Sequence, residues 1–513
     1  MDGAGDAGAL YDLGINGDKI SAVGNLENSS AQIIIDALGK YVVPGFIDIT
    51  NHSDTRLTLF KYPHLESLVM QGVTTIIGGN CGASLAPLGS REAIDAIRKW
   101  ADPSEVNIDW ATLDEFLNTV TRLTPGVNFG TFIGYGTLRR GVIGNEVRPL
   151  TFEEKWAVKN MLRQGMTEGA FGLSLGLAYG HEKISTTEEI IEIGKILQET
   201  GGIIKIHLRS EGSDLLASVN EAVRIGRETG VPIQISHLKA IGKKSWPYLR
   251  KALEFIEKIN SSDGLQINFD VSPYHSTGSP LYLLIPNWAR QGGFDELFKR
   301  IKNYPDKQRI IEALKSYTLH FDKILITSAK IKSIVGHTLA EVAEHSGLSP
   351  EEALLDTIRA NEGRVTILGK TLSRKNTELE VENKNSFLAS DGEGVSQEYA
   401  KSGNLIHPRS FGAFPHFWHY FVNDKKTLMP ADALKKITSG PAEKLGIEKR
   451  GALKRGNYAD VVIFDPRLIK DRAGYKNPFS YPAGIEWVII NGQVVVERGR
   501  YLGVRVGKAL KRQ

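Results

Sequence analysis

A chain of 513 residues is more than one compact core organises, so two or three structural units are expected. Hydrophobic residues make up 41% and charged residues 24%, and the net charge of +4 is spread over interspersed acids and bases. That balance excludes a disordered chain and offers no basic block for nucleic acid. Apolar runs such as 73–77 and 487–490 are too short to cross a bilayer, and the Gly- and Asp-rich start lacks an apolar signal stretch. The single cysteine, Cys81, rules out an internal disulfide framework. A cytoplasmic protein with no membrane partner is the expectation; composition sets no oligomeric state.

In chain order, residues 10–43 read as short β-type runs separated by turns such as Asn16-Gly17-Asp18. Candidate strands follow at 46–52, 73–80, 128–134, 171–176, 202–208, 232–238, 267–273 and 386–392. Several are continuous apolar runs, as strands buried on both faces should be. Helical patterns lie between most of them, clearly so at 186–189 and 215–229. Eight strands alternating with helices predict an α/β fold of the (β/α)8, TIM-like barrel type over 44–274 plus 386–447. The interval 275–385 holds its own helical signals at 305–316, 338–344 and 349–360. It reads as an inserted, small α-rich subdomain rather than a structureless loop. Residues 452–506 return to β-type runs with Asn-Gly, Gly-Asp and Gly-Arg turns. A small β-sandwich from both chain ends, 1–43 plus 448–513, is therefore expected.

In such a barrel the chemistry comes from the C-terminal ends of the strands. The candidate strands end with His52 on the first, Cys81 on the second, His207 on the fifth, His237 on the sixth and Asp391 on the eighth. A lone histidine at a strand end is ordinarily structural, and a free cysteine is ordinarily a small buried hydrophobe. Five residues able to bind a metal or move a proton at five strand ends point instead to one site. Two imidazoles and a thiolate leave a zinc ion an open fourth position, the catalytic arrangement. Cys81 also sits in Gly78-Gly79-Asn80-Cys81-Gly82, where glycines permit a tight turn at the strand exit. Asp391 is suited to take a proton from a metal-activated water and give it to a leaving amine.

At this point the motifs resemble a known family. Val43-Pro44-Gly45-Phe46-Ile47-Asp48 followed by His52-Ser53-Asp54 resembles the first-strand signature of the amidohydrolase superfamily. Gln71-Gly72-Val73-Thr74-Thr75, then Gly79-Asn80-Cys81-Gly82, is similar to the N-acyl-D-amino-acid deacylase (D-aminoacylase) branch, in which a strand-two cysteine replaces the usual carboxylated lysine. The likeness continues through His207-Leu208-Arg209-Ser210-Glu211, Ser236-His237-Leu238-Lys239, Ser390-Asp391-Gly392 and His407-Pro408-Arg409, covering nearly the whole chain. It implies zinc-dependent hydrolysis of N-acyl-D-amino acids to a carboxylate and a free D-amino acid. Cys81, His207 and His237 would hold the tight zinc, and Asp391 would be the acid–base. Lys239 and Arg409 would receive the carboxylate of the small-molecule N-acyl amino acid, and Tyr274 would help shape the pocket. By simple alternation Lys239 falls on the strand face opposite His237 and must bend in from the strand exit. Arg409 has a second reading, as a structural ion pair beneath the loop after Asp391.

Three departures bear on this. The family's His-x-His is here Thr50-Asn51-His52, so the second, weaker metal position, to which His52 would contribute, loses a ligand and one tight zinc is expected. Gly134-Tyr135 stands where the family often has Gly-His. The chain starts at Asp2-Gly3-Ala4-Gly5, about where the family has laid down its first sandwich strand, so a shortened start and an unpaired sandwich edge are expected. Two other functions stay open. A cyclic-amide hydrolase of the hydantoinase or dihydroorotase type usually keeps both first-strand histidines and a bridging strand-four lysine, which 171–176 lacks. A non-catalytic binding protein on the same fold should also have shed Asp391 or Cys81.

Overall fold

The computed structural model describes residues 1–317 and 319–512; Thr318 and Gln513, which fall within the 275–385 and 448–513 expectations, lie outside the described residues. Parallel strands alternate with helices through its centre. They are β1 Phe46–Asp48, β2 Val73–Gly78, β3 (Asn128–Thr131 and Ile133–Gly134, interrupted at Phe132), β4 Gly172–Gly176, β5 Ile203–His207, β6 Ile233–Ile235, β7 Ile267–Val271 and β8 Ser386–Leu388. β1 pairs with β2 and β2 with β3, while β3 to β8 pair in sequence, every pair parallel. Two backbone bonds close the circle beyond the end of β8. Asp391 N–H donates to Thr50 C=O at 3.0 Å, and His52 N–H donates to Gly392 C=O at 2.8 Å.

Local chemistry explains where the intervening helices begin. Thr112 with Glu115 and Thr151 with Glu154 form reciprocal capping boxes that start Leu113–Leu123 and Phe152–Thr167. Thr186 caps Thr187–Gly194 by accepting the Glu189 N–H. The apolar faces of these helices, of Leu215–Thr229 and of Trp246–Ser262 pack with the strand side chains into one large core cluster.

The strands are shorter than the sequence pattern implied: β1, β6 and β8 stop at Asp48, Ile235 and Leu388. The cause is that the residues beyond them turn out of extended conformation to face the barrel mouth. An antiparallel sheet unites both chain ends in the order Arg500–Tyr501, Gln493–Glu497, Ile485–Ile490, Val461–Phe464, Tyr41–Pro44. The hairpin Asp12–Asn16 with Lys19–Gly24 packs on it through Ile20, Leu13 and Ile15. Within the 10–43 region read as short β-type runs, residues 31–35 form no strand, and Ile33 and Ile34 are exposed there.

The interval after β7 is not purely helical. It adds an antiparallel sheet of Thr277–Pro280, Val365–Gly369 and Ile324–Ala329 to helices that include Tyr304–Ser316, Leu339–Ser346 and Pro350–Ala360. The sheet escapes a periodicity reading because its strands lie far apart in sequence, between helices. The interval's apolar residues, Leu281, Ile310, Ile326 and Leu354 among them, form a cluster that also includes Cys81 and Tyr179. The insert is thereby anchored at the mouth of the barrel. Among the described residues no helix is long and apolar enough to cross a membrane.

Candidate metal centre and active site

Cys81, His237 and Asp391 share an unusual backbone state. Their φ values are 55°, 36° and 52°, in the left-handed region that L side chains avoid. Such positions cost about 1–3 kcal/mol each and persist where the surrounding structure holds them. The glycines around Cys81 make its turn possible. A Cβ on Gly79 would lie 2.1 Å from the Phe132 carbonyl oxygen, and one on Gly82 would lie 1.9 Å from a Glu182 carboxylate oxygen.

The result is a compact donor set. One ligand atom from each of Cys81, His207 and His237 lies within 4.8 Å of the others, all three residues being buried. Cys81 Sγ is 3.4 Å from His237 Nε2, and the two imidazole rings meet edge to face at 4.5 Å. Burial alone would push the Cys81 thiol up, but His237 and hydrogen bonds from His207, His237 and His52 hold it well below the usual thiol range. A thiolate ringed by imidazoles is a ready site for a divalent cation. The Nδ1 of His207 strengthens that fit: it is buried with no hydrogen-bond partner in the protein. With Nε2 turned to Cys81, His237 Nδ1 lies 3.1 Å from Glu211 Oε1 and within reach of the Lys239 ammonium. Soft thiolate and imidazole donors with an open side suit zinc.

His52 stands beside this trio rather than within it. Its Nε2 is 3.2 Å from Asp391 Oδ1, and its ring lies 5.3 Å from that of Trp100. Asp391 Oδ2 accepts a bond from Arg409 Nη1 at 2.6 Å. Burial would lift the Asp391 carboxyl, but Arg409, His237 and His52 hold it well below the usual carboxylate range. Arg409 is itself buried, and its Nε has no partner. A narrow cleft lined by Arg56, Gly278, Glu393, His407 and Arg409 opens next to it.

Lys239 overcomes the alternation that placed it on the far face, because the left-handed turn at His237 redirects the chain. Its Nζ donates to Glu211 Oε1 at 2.5 Å and lies 2.8 Å from His237 Nδ1. Tyr274 is not brought to the centre by its hydroxyl, which donates to Asp471 Oδ2 at 3.3 Å. Its ring stacks on His416 and meets His407 edge-on at 5.3 Å, one layer behind Arg409. Tyr135, where the family often has histidine, is buried against Glu189 and Arg139.

Sequence reasoning missed several groups. Trp100, from the loop after β2, covers His52 and Tyr179, and Tyr179 lies 5.0 Å from the His207 ring. No periodic pattern marks them. Glu211 stands in the His207 motif without having been given a role. Lys205 precedes His207 by two residues on the same strand face, which alternation makes legible.

The Amidohydrolase family profile matches residues 398–496. The D-aminoacylase of Alcaligenes xylosoxydans xylosoxydans is 29% identical over 513 residues, covering 100% of this chain and 96% of that protein. A solved D-aminoacylase, described for its binuclear metal centre with one-metal activation and second-metal attenuation, is 30% identical with a TM-score of 0.84 over 100% of this chain and 98% of its own. The N-acyl-D-glutamate deacylase of Bordetella bronchiseptica, solved with zinc and a phosphonate mimic of the tetrahedral intermediate, is 26% identical with a TM-score of 0.84, covering 99% of this chain and 97% of its own. Likeness of sequence and fold over the whole length places the chain in the N-acyl-D-amino-acid deacylase (D-aminoacylase) family of metal-dependent amidohydrolases.

Proposed function

We propose that this chain hydrolyses the amide bond of N-acyl-D-amino acids, releasing a carboxylate and a free D-amino acid, with one tightly held zinc ion. The observation that carries the reading is the buried Cys81–His207–His237 donor set with the Asp391–Arg409 pair beside it at the mouth of a parallel barrel. Cys81, His207 and His237 would hold the zinc, which when bound polarises the scissile carbonyl and acidifies the attacking water. Asp391, kept ionised by Arg409 and oriented by His52, takes the water proton and delivers it to the leaving nitrogen. Arg409 uses its unpartnered edge to receive the substrate carboxylate, with Lys239 as the further cation near the centre. As the substrate carboxylate engages Arg409, that residue's hold on Asp391 weakens and the Asp391 carboxylate becomes a better base for taking the water proton.

Glu211 holds Lys239 beside His237, and Trp100 and Tyr179 wall the mouth against water. Division into 1–43 plus 448–513, 44–274 plus 386–447, and an insert at 275–385 belongs to the same proposal, with the insert as the cover of the site. So does a cytoplasmic setting, since Cys81 must stay reduced to serve as a ligand. Against a cyclic-amide hydrolase, β4 reads Gly-Leu-Ser-Leu-Gly and carries no lysine to bridge two metals. A panel of N-acetyl-D- and N-acetyl-L-amino acids, assayed for amine release with zinc supplied, tests the function. Turnover of D-substrates is the expected result. Turnover of hydantoins or dihydroorotate alone would overturn it.

A further inference from the structure

Beneath the donor set a lysine crosses the barrel. Lys205 rises from β5 with 0% exposure, and its Nζ donates to the Ile49 carbonyl oxygen at 2.5 Å and to Thr50 Oγ1. Its third neighbour is Asp270 Oδ2 at 3.4 Å. Thr50 uses its own proton on Asp270 Oδ1 at 2.8 Å, so its oxygen can only accept from Lys205. Asp270 is held in turn by Gln234 Nε2 at 3.0 Å and by the backbone N–H of His237 at 2.8 Å. The ammonium has three acceptors for three donors, and the nearest carboxylate balances its charge.

Thr50 stands where the first-strand motif that this chain resembles carries a histidine, and a solved D-aminoacylase is described with a binuclear metal centre. Any ion that used residue 50 together with His52 and Asp391 would have the Lys205 ammonium as its next neighbour. We infer that Lys205 is the resident cation of the second metal position: with Thr50 as adaptor it supplies a fixed positive charge there and keeps the centre mononuclear. The inference rests on the proposed zinc centre at Cys81, His207 and His237. It concerns a lysine and a threonine that act together, since a histidine at 50 would meet an ammonium where it needs a metal. Two like charges at that distance inside a buried site exclude one another.

The test counts zinc rather than turnover. Full-length protein is stripped with chelator, titrated with zinc, freed of excess by gel filtration and analysed for metal per chain. Wild type and Thr50→His should each retain one equivalent, because Lys205 is still present. Thr50→His/Lys205→Ala should retain two, as should the milder Thr50→His/Lys205→Gln, which preserves side-chain length should the alanine variant fail to melt cooperatively. Two equivalents in wild type or in Thr50→His alone would overturn the inference. So would one equivalent in a folded double variant. Counts of one, one and two without amine release from any N-acyl amino acid leave the inference standing while the deacylase reading falls. No zinc in any of the proteins removes the metal centre and the inference with it.

Discussion

Arg409 and Asp391 are paired directly, Nη1 to Oδ2 at 2.6 Å, while His52 Nε2 faces the other carboxylate oxygen at 3.2 Å. The group proposed to anchor the substrate therefore also sets the state of the group proposed to move the proton. The two roles are coupled through a single buried ion pair, and that coupling shapes what each substitution should do.

Asp391→Asn should keep its zinc and lose turnover. The amide cannot take the water proton, and acid–base groups are typically worth ~10²–10⁴ in rate. Steady-state kinetics with metal analysis of the same sample checks both halves. A variant with wild-type kcat would move the proton shuttle to another residue.

Arg409→Ala should lower kcat/KM by about 2–5 kcal/mol for an N-acyl amino acid, the cost typical of orphaning one partner of a buried charge pair. Its discrimination against an N-acyl amine lacking the carboxylate should shrink. Comparing kcat/KM for the two substrates separates the roles. Equal damage to both would mean that Arg409 acts through Asp391 alone and not as a carboxylate anchor.

Cys81→Ala should release most of the bound metal, since a tight zinc site needs its third protein ligand. Elemental analysis after dialysis, beside wild type, reads the loss. Metal retained at the wild-type level would exclude Cys81 as a ligand.

Asp48 offers a pH test away from the donor set. Burial raises its carboxyl from 3.8 to about 6, with bonds from Ser390 and Asn51 opposing the rise. A folded-state value above the unfolded one favours the protonated side chain. Its contribution is fully present below about pH 4 and is lost as pH rises through about 6, roughly 3 kcal/mol across the window by linkage. Asp48→Asn should flatten the decline in stability over that range. Denaturant melts of both proteins at pH 4, 5, 6 and 7 test this, and parallel curves would refute it.

Much of the barrel was legible because parallel strands buried on both faces are mostly apolar, and β2, β4 and β5 are buried throughout, with polar exceptions such as Ser174 and Lys205. Capped helix starts were legible at Thr186 for the same kind of local reason: one side chain satisfies one backbone N–H. That His52, Cys81, His207, His237 and Asp391 gather at one end follows from strand polarity, which is written in the chain order. Alternation could not carry the reading further. The left-handed turns at Cys81, His237 and Asp391 break the period-two rule at the strand exits, and with it the expectation that Lys239 faces away from His237. The sheet within the insert needed strands almost ninety residues apart to meet, and Thr277–Pro280 carries no apolar pattern. The Arg409–Asp391 pair, the Tyr274–Asp471 bond and the Lys205–Thr50–Asp270 network each join residues on different strands or loops. Pairings of that kind depend on which side chains share one buried volume after closure, a property of the folded barrel that no local stretch of sequence encodes.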